Sequence, residues 1–457
     1  MIFDNCTVIT MDRQRRILTG AAVAVEGDSI AMVGKSEDVR RAYPEAPSRD
    51  LHGWLLLPGL VDGHIHLPQA MLRGSADEVP LWVWMAQRIF ILEGNYTPAD
   101  VQASTRLAIV EMIRSGTTAF LETLILGRHD LSSLAGVIAE TGVRAVLPRA
   151  VTDGGGYLDE SPLHPGLDEA PEKAIEDALA VAKELGDSEH VRVWLGPRST
   201  GGCSEGLLRE LVALARREGM GLCQHYAMTD REKAYIRARY ESGQVELLER
   251  LEMVGRDVVL VHCCAMDEDD VSRLRGTGTS VVHCPTGPAK MGSGVTPVRA
   301  LRDAGVTVAL GTDAAAANNG ADLLRDLKWV AYLQKLLERD PTVVTAEDVL
   351  EMATIEGARA LGLDALIGSI EPGKRADFIV VRTDGPHWVP TFNPVANFVY
   401  ASTGADVDTV VVAGRTLMEG RELVSIDEER VLAEARAAVD SLYERTQVAR
   451  PSIWPVL

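Results

Sequence analysis

The period of apolar and polar positions changes twice along the chain. Residues 1–57 alternate in short runs: Thr7-Val-Ile-Thr, Ala21-Ala-Val-Ala-Val and Ile30-Ala-Met-Val, broken at Gly27-Asp-Ser and Gly34. Alternation between turn residues predicts a small β meander. From residue 58 to 365 the pattern becomes strand-then-helix. Apolar strand candidates are Thr117–Leu121, Arg144–Leu147, Val191–Leu195, Gly221–His225, Val258–His262, Ser280–His283 and Val306–Gly311. Amphipathic helix candidates between them include Ala99–Ser115, Glu172–Leu185, Glu205–Glu218 and Asp267–Arg275. Such alternation implies an α/β protein with a parallel sheet. With the strand before His64 there are about eight strands over about 300 residues, which suits a (β/α)₈ TIM-type barrel. The alternative is an open doubly wound sheet, and the absence of Gly-x-Gly-x-x-Gly after an early strand counts against it.

Residues 366–425 return to strand character. Gly368–Val381 reads as a turn-rich strand pair and Thr409–Arg421 as a hairpin turning at Gly414. This stretch is expected to complete the sheet begun by residues 1–57. The barrel, 58–365, would then be inserted in a small β-sandwich domain built from both termini (1–57 plus 366–457), with a surface helix over 426–448.

Composition narrows the function classes. The 457 residues carry a formal charge of −20, which argues against nucleic acid or anionic lipid as partners. No apolar run approaches the ~20 residues of a membrane helix, and Met1-Ile-Phe-Asp-Asn-Cys does not open a signal peptide. The six cysteines form no Cys-x-x-Cys and lie in or near apolar runs, as buried reduced thiols of a cytoplasmic protein do. A small-molecule substrate is the expected partner.

The chemistry lies where the strands stop. His64 and His66 are two apart at the end of an apolar strand, so both side chains project to one side. His225, His262 and His283 end three further strands, and Asp313 follows Leu310-Gly-Thr. In a barrel the active-site groups occupy these C-terminal strand ends. Any one of them could be an ordinary core polar group. Five of the chain's ten histidines in such places is a poor fit to coincidence. His64, His66 and His225 with Asp313 form a ligand set for one divalent metal with an open position. Asp313 is also placed to take the proton of an attacking water. His262 suits stabilisation of a developing negative charge. His283 is open between ligand orienter, substrate contact and structural group.

These residues sit in motifs that resemble the amidohydrolase superfamily, in the branch of methylthioadenosine/S-adenosylhomocysteine deaminases and triazine hydrolases. The carriers are Leu57-Pro-Gly-Leu-Val-Asp-Gly-His-Ile-His, Met71-Leu-Arg-Gly with Asp77 and Pro80-Leu81, and Glu111-Met-Ile-Arg-Ser-Gly-Thr-Thr. Further along come His283-Cys-Pro with Lys290 and Gly292-Ser-Gly, Gly311-Thr-Asp-Ala with Asn318-Asn319, and Pro372-Gly-Lys-Arg-Ala-Asp. The resemblance spans essentially the whole chain. It implies the barrel with its small terminal β domain, a homo-oligomer, and the metal set His64, His66, His225 and Asp313 with His262 as the sixth-strand histidine. Two-metal relatives place a bridging lysine after the fourth strand. Here that strand ends Leu195-Gly-Pro-Arg-Ser-Thr, so one metal is expected: zinc by default, with iron or cobalt compatible with the ligands.

The departures shape the functional expectation. Ring deaminases of this branch follow the fifth-strand histidine with x-x-Glu, which protonates a ring nitrogen. This chain has His225-Tyr-Ala-Met228, with Asp230 and Glu232 further on. The sugar-binding stretch is replaced by Arg198-Ser-Thr-Gly-Gly, and Thr286-Gly-Pro288 stands where a Ser-Asn pair is usual. A carbonyl substrate needs no such glutamate. The expectation is therefore a hydrolase of a urea, carbamate or thiocarbamate, resembling phenylurea and molinate hydrolases. The alternative is a deaminase or dechlorinase of adenosine derivatives or aminotriazines that uses another acid, such as Asp230. Expected substrate contacts are His283, Trp82, Trp84, Met228, Arg198 and Gln69, with Met85 and Phe90 as further wall candidates. For the tryptophans, Met85, Phe90 and Met228, ordinary helix packing is an equally good reading.

Overall fold

The computed structural model describes residues 1–123, 125–154, 163–449 and 454. Eight parallel strands follow one another around a ring: Leu60–His66, Thr117–Glu122, Arg144–Val151, Val191–Pro197, Leu222–Tyr226, Val258–His262, Ser280–His283 and Thr307–Leu310. Each pairs with the next in chain order. The last strand resumes after two residues as Asp313–Ala314, and there Asp313 pairs with Ile65 and Ala314 with His66. This second half closes the ring onto the first strand. The strands are almost wholly buried and rich in Val, Leu and Ala, as expected when helices cover one side and packed side chains fill the other.

Local signals explain the helices. Pro98–Arg114 starts on a capping box in which the Thr97 side chain and Asp100 satisfy each other's backbone N–H groups. Glu205–Glu218 starts on Ser204 and stops at Gly219, whose φ of 68° suits a residue without Cβ.

A second sheet comes from both ends of the chain. Its order is Glu422–Leu423, Arg415–Glu419, Val407–Val412, Phe378–Val381, Leu55–Pro58, Ile2–Ile9, Ile17–Glu26 and Ser29–Lys35, with Ser48–Asp50 on Ile2–Ile9. Leu55–Pro58 lies between the N-terminal and C-terminal halves, parallel to one and antiparallel to the other.

The apolar stretch leading to the histidines is thus two strands. Leu55–Pro58 belongs to the terminal sheet and Leu60–His66 to the barrel. Between them, a Cβ on Gly59 would lie 2.1 Å from Thr118 Oγ1, so the chain changes sheets where only glycine fits. Gly368–Val381 contributes one strand, Phe378–Val381, because Pro372 and Gly373 hold the first half in turns. A short helix, Ser36–Ala42, interrupts the N-terminal meander. The two sheets are tied by Arg144, at the start of the third barrel strand, which donates from Nε and Nη2 to both carboxylate oxygens of Asp377 at 2.6 and 3.0 Å. Both side chains are buried, and Asp377 also accepts the Ala413 N–H.

Candidate active site

Three strand ends converge on one point, bringing together His64 and His66, His225 and Asp313. His66 Nε2 and His225 Nε2 are 3.3 Å apart, and Asp313 Oδ1 lies 3.5 Å from Nε2 of both His64 and His66. The His64 ring centroid is 4.6 Å from that of His66 and 4.8 Å from that of His225. Donors bound to one metal at 2.0–2.1 Å in a tetrahedral array are about 3.3–3.4 Å from each other. The spacing here matches a shared cation.

Neighbouring groups orient these rings. Thr123, just past the second strand, accepts a hydrogen bond from His66 Nδ1 at 2.6 Å on its carbonyl, and its Oγ1 lies 3.1 Å from His64 Nδ1. With the His66 proton on Nδ1, its Nε2 lone pair faces the other donors. His64 Nε2 is buried and has no hydrogen-bond partner among the described residues. Burial keeps the imidazoles neutral: it pulls His64 and His283 down to about 3 and lowers His66, His225 and His262 as well. Burial would raise the Asp313 carboxyl, but the close approach of His64 Nε2, 3.5 Å away, and the neighbouring imidazoles hold it below the usual range. Neutral imidazoles, an ionised carboxylate and an orphaned inward nitrogen fit one divalent metal.

The eighth strand is fixed against the first by Asp62. Its Oδ1 accepts the backbone N–H groups of His64 and Thr312 at 3.1 Å each, and its Oδ2 accepts Thr312 Oγ1–H at 2.6 Å. Gly287 leaves space for Asp313: a Cβ there would meet Oδ2 at 2.6 Å. His262 and Asp313 have φ of 75° and 63°, a costly region for residues with a Cβ. Strain at two strand-end residues marks a backbone shaped for function.

A largely apolar cavity opens over this centre. It is lined by His66, His225, His262 and Asp313, by Trp84, Met85, Phe90 and Met228, and by Gln69, Glu93 and Arg198. Of the expected substrate contacts, Trp84, Met228, Arg198 and Gln69 reach it. Trp82 does not: its ring faces outward beneath the Arg231 guanidinium, 4.3 Å from the centroid. His283 is buried and does not line the cavity, with Nδ1 2.8 Å from Thr296 Oγ1. Asp230 is exposed at the start of its helix and cannot serve as the missing acid. Glu232 accepts the Met228 N–H at 2.8 Å, so it is turned to the backbone.

Glu93 was not legible as a site residue. It ends the apolar stretch Phe90-Ile-Leu-Glu93, where a lone carboxylate reads as a helix end. In the fold it is buried beside Gln69, and burial pushes its carboxyl up to about 7.

A closed (β/α)₈ barrel with a His₃Asp centre at its strand ends defines a metal-dependent hydrolase class. Residues 55–417 match the amidohydrolase family, and the chain belongs to it. It is 34% identical to a 5-methylthioadenosine/S-adenosylhomocysteine deaminase of Pelotomaculum thermopropionicum over 97% of this chain and 99% of that one. A zinc-bound adenosine deaminase of Xanthomonas campestris superposes with a TM-score of 0.90 at 30% identity, covering 97% and 98% of the two chains. The zinc complex of an atrazine chlorohydrolase from Arthrobacter aurescens TC1 shares the fold, with a TM-score of 0.88 at 24% identity and coverage of 96% and 99%. None of the three is named for a urea or thiocarbamate, so the likeness favours the deaminase alternative over carbonyl hydrolysis.

Proposed function

We propose that the protein hydrolytically removes an amino group from a nitrogen heteroaromatic ring of the adenosine or aminotriazine type and releases ammonia. Glu93 carries this reading. Ring deamination needs a carboxylic acid other than the metal-ligating one, and Glu93 is a second cavity-lining carboxyl that holds its proton near neutral pH. The deaminase names of the relatives support the same class.

His64, His66, His225 and Asp313 would hold one divalent metal, zinc by analogy with the zinc-bound adenosine deaminase. When bound, such a metal supplies Lewis acidity and lowers the pKa of a water from 15.7 to about 7. Asp313 Oδ2, the oxygen facing Gly287, takes the proton of the attacking water and returns it to the departing nitrogen. His262 stabilises charge at the reacting carbon's substituent. Glu93 protonates the ring nitrogen. Trp84, Phe90 and Met228 exclude bulk water.

A second reading rests on Met228. It lines the cavity at the position of the usual glutamate and cannot titrate. Hydrolysis of a urea, carbamate or thiocarbamate needs no acid there.

Two substitutions separate the readings on 5-methylthioadenosine. Glu93→Gln should lower ammonia release about 10²–10⁴-fold, and Met228→Glu should raise it. Undiminished release by Glu93→Gln overturns the role of Glu93.

A further inference from the structure

Arg198 makes no ion pair among the described residues, and Glu93 is the acid whose charge acts on it. It follows the fourth barrel strand, and its backbone N–H donates to Val151 O at 2.9 Å, which fixes its base between two strands. The side chain is 4% exposed as a residue and lines the cavity with the metal donors. Nε and Nη1 are buried without a hydrogen-bond partner among the described residues. The Phe90 ring lies under the guanidinium, its centroid 4.9 Å from Cζ.

A buried guanidinium is costly to leave unpaired, and both orphaned N–H groups add to that cost. Burial lowers its pKa to about 10, so it stays charged at neutral pH. The other polar groups do not neutralise it. Asp313 is committed to the histidines. Glu93 lies beside Gln69 and makes no ion pair with Arg198 among the described residues, and burial raises its carboxyl to about 7, so it carries only part of a charge at neutrality. Gln69 keeps an unpartnered Oε1. A neutral carbonyl would satisfy N–H groups but leave the charge uncompensated. A carboxylate answers both, in the bidentate geometry that suits arginine.

We propose that Arg198 is a specificity residue and that the substrate carries a carboxylate that docks on its guanidinium while the reacting ring faces the metal donors. This inference rests on the deaminase reading for the ring but not for the anion site. The Phe90 face and the apolar wall around Arg198 suit a flat acid.

The probes are benzoate and benzamide, equal in shape and different in charge, titrated calorimetrically into the metal-loaded protein, Arg198→Met and Arg198→Lys. The expected result is at least tenfold tighter binding of benzoate by the unmodified chain. Arg198→Met should lose at least tenfold for benzoate and less than twofold for benzamide, with Arg198→Lys in between. Arg198→Met should also melt at a higher temperature, because an unpaired buried charge has gone. A structural arginine would give a lower melting temperature. Benzoate affinity unchanged in Arg198→Met would mean that the metal alone holds the acid, and equal loss for both probes would mean general damage. Either overturns the proposal. Ammonia release from 5′-deoxyadenosine is read in parallel. Charge discrimination without ammonia keeps the Arg198 site and removes the deaminase reading, and ammonia without discrimination does the reverse.

Discussion

His66 Nε2 and His225 Nε2 face each other across 3.3 Å, with the His66 proton committed to the carbonyl of Thr123 on the far side of the ring. At that distance the pair is held either by a proton on His225 Nε2 or by a cation between the two nitrogens, and the converging His64 and Asp313 favour the cation. The unmodified chain should therefore carry one equivalent of divalent metal by elemental analysis. His225→Ala should carry less than a tenth of that. Chelation should lower the melting temperature of the unmodified chain and leave the variant unmoved, since binding to the folded state alone is what stabilises.

Asp313 is proposed to have two separable duties, ligation and proton transfer. Asp313→Asn should lose about 10²–10⁴-fold in kcat while retaining part of its metal. Gly287→Ala tests the geometry without touching the carboxylate. Its Cβ would press on Oδ2 from 2.6 Å, so kcat should fall at least tenfold with metal content and fold intact. Full kcat in either variant contradicts the proton-relay assignment.

Glu93 links stability and rate to pH. Burial raises its carboxyl from 4.5 to about 7, so the folded chain keeps a proton that the unfolded chain has released. Its contribution to unfolding free energy therefore falls as pH rises from about 4.5 to about 7 and is level above that. At 1.36 kcal/mol per unit the loss is on the order of 3 kcal/mol. Urea denaturation of Glu93→Gln at pH 5 and pH 8 should show that much less pH dependence than the unmodified chain. Activity should likewise decline above about pH 7, where the acid form is lost.

The ion pair between Arg144 and Asp377 lies at the N-terminal strand ends, away from the metal donors. Asp377→Ala leaves a buried guanidinium unpaired, which costs about 3–5 kcal/mol. Denaturant unfolding should register that loss while metal content stays at one per chain, because this face of the barrel serves stability.

Much of the centre was readable before the fold because its residues end apolar strands, and a polar group there has few structural excuses. His64, His66, His225, His262 and Asp313 all obey that rule. The groups that orient them were not readable. Thr123 acts through a carbonyl and a hydroxyl that look like any others, and Asp62 lies inside the strand whose end carries the histidines. Glu93 was hidden by a broken helix: Leu81–Trp84, a π turn over Met85–Ile89 and Phe90–Glu93 together decide which side faces the cavity. Two places apart on one helical turn, Trp84 turns into the cavity and Trp82 out to Arg231. Alternation along the chain carries no information about that rotation.

The proposed chemistry is ring deamination rather than carbonyl hydrolysis. The most direct test is a mass-spectrometric product screen of the zinc-loaded protein. It would pair 5-methylthioadenosine and an aminotriazine with an N-phenyl-N′,N′-dimethylurea and a thiocarbamate. The expected result is ammonia with an inosine-type or hydroxytriazine product from the first pair. An aniline or free secondary amine from the second pair, with the first untouched, would contradict it and assign the Met228 cavity to a carbonyl substrate.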